Sequence, residues 1–209
     1  MKKKYNILFI IVFLFIVLIP AVKANSPYTI EVPSTFKKDK NNVYWQKEVN
    51  NEKVSILIYT TNNDNKLNLD NINDKDINND EYINVLKNTF KQLGYKITSY
   101  SSNFQKTTLN SYPAIVIDID SKYTLESNTE NIVYQRQYML TSKNNIYYII
   151  ISSSNKIYLE NEEIKGILAS FKINDELINK NSEMTKYYIT LTIIVSLGIV
   201  IAFVFSKKK

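Results

Sequence analysis

Neither cysteine nor histidine occurs in this chain of 209 residues. The first absence removes disulfides, thiol nucleophiles and thiolate metal sites. The second removes the usual general base and the commonest metal ligand. Ser-His-Asp and Cys-His catalysis are therefore excluded, and no metal site or cofactor is expected. Arginine is almost missing as well: the 26 basic residues include a single one, Arg136. The accompanying excess of lysine, asparagine and isoleucine reads as the codon bias of an AT-rich genome. Asparagine-rich stretches therefore carry no functional weight on their own.

A charge surplus is also missing where it would count. The net charge of +6 owes its sign to Lys2, Lys3, Lys4 and Lys23 at one end and Lys207, Lys208 and Lys209 at the other. Between 25 and 186 there are 19 basic and 20 acidic residues. Nucleic-acid binding needs a basic domain or stripe, and none remains. A domain without disulfides must hold by its core alone; about 150 ordered residues bury roughly 70% of their unfolded surface, which suffices.

Long hydrophobic runs occur only at the ends. Lys2, Lys3 and Lys4 precede an apolar run over 7–19, which Pro20 breaks before Ala21-Val22-Lys23-Ala24. Basic start, short apolar stretch, helix breaker and small residue make a secretory signal peptide, 1–24, cut after Ala24. The run is short for a span, which wants about 20 residues. An uncleaved signal anchor is the alternative, and it leaves the middle of the chain on the same side. The second run, 187–205, carries no charge, and 12 of its 19 residues are Leu, Ile, Val or Phe. As a helix it reaches about 28 Å against a hydrocarbon core of ~30 Å, with roughly −4 to −7 kcal/mol favouring insertion. Tyr187 and Tyr188 stand where an interfacial aromatic belt lies, and Lys207, Lys208 and Lys209 stay in the cytoplasm. These features predict a single-pass cell-membrane protein. Its extracytoplasmic domain is 25–174, followed by a polar stalk (175–186), a transmembrane helix (187–206) meeting the bilayer through 187–205, and a cytoplasmic tail (207–209). Gly198 and Ala202, four apart, would let two such helices pack closely, a spacing that chance also supplies.

In the middle, alternation and apolar runs predict strands. The first, 28–32, meets Pro33 and is an edge strand. Strands 43–49 and 54–60 flank an Asn50-Asn51-Glu52 turn. Long strands follow at 95–107, 112–123, 132–140 and 146–152, the last two joined by a tight Lys143-Asn144 turn. The run 146–151 is apolar on both faces and belongs in the sheet centre. A helix at 80–93 follows from Tyr82, Leu86, Phe90 and Leu93 on one face, with Val85 beside them, an Asn78/Glu81 cap and a terminal Gly94. A second, 158–170, follows from the spacing of Ile164, Ile167, Leu168 and Phe171, with 171–173 ending as a short strand. The polar stretch 61–80 reads as a long loop whose Leu67, Leu69, Ile72 and Ile77 have no firm period. Its Asp74-x-Asp76-x-Asn78 resembles a calcium loop, but the sixth-position glycine is missing and Val85 stands at the twelfth position. Strands, helix, long antiparallel strands and helix make an α+β domain, with helices packed on an antiparallel sheet.

Four stretches resemble the PsbP-like fold family, which includes PsbP, the Mog-type Ran-binding proteins and many bacterial exported proteins. Tyr28-Thr29-Ile30-Glu31-Val32-Pro33 resembles its opening strand. Asn110-Ser111-Tyr112-Pro113-Ala114 resembles its turn into a long strand, without the glycine common there. Tyr134-Gln135-Arg136-Gln137-Tyr138 with Tyr147-Tyr148-Ile149 resembles the central hairpin. Ile164-x-x-Ile167-Leu168-x-Ser170-Phe171 resembles the closing helix. The likeness covers about 28–174. It implies a fold and no catalytic residues, and it favours accessory or binding roles by analogy.

Arg136 lies between Tyr134 and Tyr138 on one strand face by period two. A hairpin of 112–123 with 132–140 places Asp118 and Asp120 roughly opposite it. Such a group could bind an anionic ligand or a partner's acidic side chain. The blander reading is a cross-strand ion pair on a solvated face, worth well under ~1 kcal/mol. The tyrosines, among them Tyr44, Tyr59, Tyr95, Tyr123, Tyr147 and Tyr148, are strand residues first and interface residues second. Trp45 is a half-buried core residue or a surface anchor. Asp118 and Asp120, about 7 Å apart on one strand, would also suit a carboxylate-dependent hydrolase of envelope polymers. The leading expectation is a membrane-anchored, extracytoplasmic, non-enzymatic binding or accessory domain with a protein partner at the cell surface. The hydrolase and a structural subunit of a membrane complex are the alternatives.

Overall fold

The computed structural model describes residues 27–38, 44–64, 66–77, 80–92, 95–124 and 130–174. The signal segment, stalk, membrane-spanning helix and basic tail lie outside the described residues, as do Asn78 and Gly94 at the expected ends of the first helix. Among the described residues no helix is long and apolar enough to cross a membrane.

In chain order the elements are β1 (Tyr28–Thr29), β2 (Lys37–Lys38), β3 (Tyr44–Val49), β4 (Glu52–Asn62), a 3-10 turn (Leu69–Asn71), α1 (Asp74–Ile77) and α2 (Asp80–Gln92). They continue with β5 (Lys96–Leu109), β6 (Tyr112–Thr124), β7 (Glu130–Thr141), β8 (Asn145–Ser153), a second 3-10 turn (Lys156–Leu159), α3 (Glu162–Ser170) and β9 (Lys172–Ile173). The class is α+β and rich in sheet. Seven strands form one antiparallel sheet in the order β2-β3-β4-β8-β7-β6-β5, and β1 pairs with β9 separately.

β8 is the middle strand, as its two-sided apolar run requires. Its Ile146, Tyr148 and Ile150 join Leu57, Tyr59, Ile115, Ile117 and Ile119 on one face. Its Tyr147, Ile149 and Ile151 join Trp45, Ile56 and Ile58 on the other. The first face is covered by the connection from β4 to β5, through Leu67, Leu69, Ile72 and Phe90. The second is covered by Ile164, Ile167, Leu168 and Phe171 of α3 and its end. The hairpins turn where side chains tolerate left-handed backbone: Asn50 and Asn51 have φ of 50° and 63°, Asn110 and Ser111 of 51° and 71°.

Several expectations need correction. The stretch 61–80 is no simple loop: it holds a 3-10 turn and α1, and Leu67, Leu69 and Ile72 are buried anchors of the crossover, while the Ile77 side chain lies outside the described residues. Their spacing follows a wandering path rather than a helix, so no period shows. The second helix starts at Glu162, not near 158, because the Asn161 side chain accepts from the Ile164 N–H and ends the preceding turn. The opening strand is two residues long and pairs with the chain's last described strand, not with the main sheet. The short β2 was not foreseen. Trp45 is buried beside Phe36, which removes it as a surface anchor. On α2, Phe90 is buried and Ile83 packs against the same core; the side chains of Tyr82, Val85 and Leu86, and Leu93, lie outside the described residues.

β1 and β9 bring the two ends of the domain together. The Asn174 N–H donates to the Pro27 carbonyl at 2.8 Å. Tyr28 stacks on Phe171 at 5.7 Å and meets the Tyr147 ring edge-on at 6.4 Å. Replacing the fully buried Phe171 by alanine should cost about 3–5 kcal/mol in urea unfolding. Burial also pushes the Tyr28 phenol up to about 12. The unfolded chain ionises this phenol near pH 10 while the folded chain keeps it neutral. The stabilisation is therefore complete below about pH 10 and is lost as pH climbs toward 12, on the order of 2 kcal/mol. Stability measured from pH 9 to 12 should fall less steeply in Tyr28→Phe than in the wild type.

Candidate functional site

The antiparallel register of β6 and β7 sets Asp118 opposite Arg136, Asp120 opposite Tyr134 and Val116 opposite Tyr138. All five residues singled out in the sequence thus share the α3-side face, since directly opposed residues point the same way. The expectation that both aspartates oppose the arginine narrows to Asp118 alone. On β5, Ser101 opposes Asp120 and Asn103 opposes Asp118, extending the row to an exposed strand.

The pairing is bidentate. Arg136 donates from Nε to Asp118 Oδ1 at 2.6 Å and from Nη2 to Oδ2 at 2.8 Å. The two side chains are only 19% and 17% exposed, so this is not the fully solvated pair that a bare sheet face would give. Hydrogen bonding to Asp118 pushes the guanidinium further above its ordinary value, against an opposing effect of burial. Burial pushes the neighbouring Tyr138 phenol up as well.

Two further residues reach the site from the turn after β8, and nothing in the sequence pattern singled them out. Glu160 pairs with Arg136 Nη1. Lys156 binds Asp120 at 3.2 Å and lies 6.0 Å from the centre of the Tyr134 ring. The turn is held locally by Asn155, whose side chain accepts from the Ile157 N–H. Lys156 and Glu160 are four apart with opposite charge, which was the one available signal, but such pairs are common on solvated segments.

Chemically, this is a preorganised polar surface. Both oxygens of Asp118 accept from one guanidinium, and both oxygens of Asp120 accept from Lys156. Among the described residues no group of three or more acidic side chains could hold a metal ion. Of the calcium-like triplet, Asp76 accepts instead from the Asn73 backbone N–H at 3.0 Å. Beside the network stands Ile157, the one large hydrophobic residue that is exposed among those described, at 69%.

No family model matches the chain, and no curated protein matches it. Among solved structures, LpqN of Mycobacterium tuberculosis, which is involved in cell envelope biogenesis, aligns over 70% of this chain and 82% of its own. The identity is 12% and the TM-score 0.39. A Pseudomonas aeruginosa protein of unknown function, PA94, aligns over 62% and 72%, with 8% identity and a TM-score of 0.27. Both are distant likenesses of fold and carry no residue-level correspondence.

A double-mutant cycle with Arg136→Gln and Asp118→Asn should give a coupling of about 1–2 kcal/mol in chemical unfolding. The more exposed Lys122–Glu130 pair, 46% and 49% accessible, should give no more than about 0.5 kcal/mol. Equal couplings would mean that the half-buried geometry adds nothing.

Proposed function

We infer that this protein is a membrane-anchored, extracytoplasmic, non-enzymatic binding or accessory domain of PsbP-like type. It meets a protein partner through the open part of its α3-side sheet face. The observation that carries this reading is the way Ile157 is presented. An exposed isoleucine on a loose loop would be unremarkable. Here its turn is pinned to the sheet on both sides, by Lys156 to Asp120 and by Glu160 to Arg136. The entropy of ordering that turn is therefore already lost before any partner arrives, which favours tight association.

The surroundings fit the anatomy of a protein interface. An apolar anchor is flanked by half-buried Tyr134 and Tyr138 and by an arginine in a rigid fork, with neutral Ser101, Asn103 and Gln105 at the rim. The anchoring part of the proposal rests on the 187–205 run and the basic residues after it, and the export part on the first 24 residues.

A photo-crosslinking residue placed at Ile157 or Asn103 in the full chain, expressed in its own cells, should trap one protein in stoichiometric amount. The same residue at Lys165, on the outer side of α3, should not. Ile157→Asp should lower recovery of that protein at least tenfold and shift the melting temperature by no more than about 2 °C, since the side chain is exposed. Equal trapping from Lys165, or full recovery with Ile157→Asp, would remove the interface. Separately, protease added to cells with a permeable wall should degrade 25–174; a protected domain would overturn the topology and leave the interface open to test.

A further inference from the structure

The two edges of the main sheet are finished differently. One ends on β2, a pair of exposed lysines too short to seat another strand. The other ends on β5, which runs for 14 residues without a proline. A long edge of that kind is a template for a further strand.

The turn between β5 and β6 says which backbone groups face outward. Asn110 and Ser111 form a two-residue turn with φ of 51° and 71°, and Leu109 opposes Tyr112. In such a turn the flanking residues exchange both backbone hydrogen bonds, and bonded and non-bonded pairs then alternate along the ladder. The register is unbroken from Leu109 back to Ser99. Gln105 and Thr107 therefore bond to β6, while Phe104, Lys106 and Thr108 turn their N–H and C=O groups away from it. Among the described residues no strand lies on that outer side, and these three make no backbone hydrogen bond there.

The side chains define what fits beside them. Phe104 is half-buried against the core under the crossover. Lys106 is on the same face, and its ammonium donates to the Asp70 backbone carbonyl at 2.7 Å, a neutral acceptor. The opposite face carries exposed Asn103, Gln105 and Thr107. Lys96 and Lys106 are the only charges on the strand. A matching neighbour puts an apolar side chain beside Phe104, a carboxylate beside Lys106 and neutral polar groups on the other face. A second copy of β5 does not supply this, because it has no acid. Paired antiparallel, it would also send the β1–β9 ends of the two copies in opposite directions. Those ends lie by the β5–β6 turn, where Asn110 donates to the Phe171 carbonyl at 2.9 Å, and two anchors in one membrane need them to point the same way.

We propose that the outer side of β5, from Phe104 to Thr108, receives an extended, acid-bearing segment of the surface partner as an added strand. This deepens the interface proposed above and rests on it. Lys156, next to Ile157, bonds Asp120 on β6, the strand beside β5, so a partner seated on Ile157 is one strand from the edge. Backbone hydrogen bonds then supply affinity, and Phe104 and Lys106 supply selectivity.

Proline is accepted on an edge strand where the N–H faces outward. Lys106→Pro removes one outward N–H and leaves the β5–β6 ladder intact. Lys106→Ala removes the same charge and keeps that N–H. Both are placed in the full chain with the crosslinking residue at Ile157, in its own cells. Recovery of the trapped protein should fall about threefold with Lys106→Ala and about thirtyfold with Lys106→Pro, while the two variants melt within about 2 °C of each other. Equal recovery from the two variants would remove strand addition and leave the interface standing. Undiminished recovery with Lys106→Ala would overturn the acidic occupant, and no trapped protein from the parent chain would remove interface and strand together. Should Lys106→Pro fail to fold, hydrogen exchange on the chain without it decides. The amides of Phe104, Lys106 and Thr108 should exchange at least about tenfold more slowly in the crosslinked complex than in the chain alone, with Gln105 and Thr107 slow in both. Unchanged rates at the three outward amides would overturn the proposal.

Discussion

A strand with no polar face must be covered on both sides, and that requirement organises this domain. β8 carries aliphatic or aromatic side chains at six consecutive positions. Its neighbours β4 and β7 satisfy its backbone groups, but its side chains need two layers, one above and one below the sheet. The chain supplies them from different places. The connection from β4 to β5 lays Leu67, Leu69, Ile72 and Phe90 on one face, and the segment after β8 folds back with α3 on the other. The β1–β9 pair closes the second layer at its edge, and it places the beginning and the end of the domain side by side.

The α3-side layer is narrower than the sheet, and this sets the chemistry of what it leaves open. α3 and its end share one buried cluster with the apolar rows of β3, β4 and β8 and with Leu109, Ala114 and Leu140 at one end of β5, β6 and β7. Farther along β6 and β7 the same face carries Asp118, Asp120 and Arg136, half-buried, where paired charges are tolerable. The turn between β8 and α3 crosses this border, and its Lys156 and Glu160 complete the ion pairs. The crossover-side layer excludes water from the middle strands, and the polar groups found there are neutral amides and hydroxyls. Charge at the rim and neutral polarity in the core are what the cost of desolvation demands.

Much of this was legible from residue patterns. Alternation and apolar runs marked every long strand, and the two-sided run 146–151 placed β8 at the centre. The spacing of Ile164, Ile167, Leu168 and Phe171 gave the buried side of α3. The proximity of Arg136 to Asp118 followed from counting back across the hairpin, although only the actual register separated Asp118 from Asp120. The burial of Leu67, Leu69 and Ile72 was not legible, because a crossover in irregular backbone has no repeating angle to betray which side chains turn inward.

The sequence by itself determined the long strands, the two packed helices, the exclusion of histidine- and cysteine-based chemistry, and the chain's one arginine beside two tyrosines. These depend on residue identity and on short-range periodicity, which the backbone repeats locally. Only the tertiary structure decided that Lys156 and Glu160 meet the arginine's strand pair, that Ile157 stands exposed beside them, and that Gln135 is sealed in the core. Such outcomes depend on which distant segments cover which face, and a pattern of local angles contains the direction of a side chain but not the identity of what it will meet.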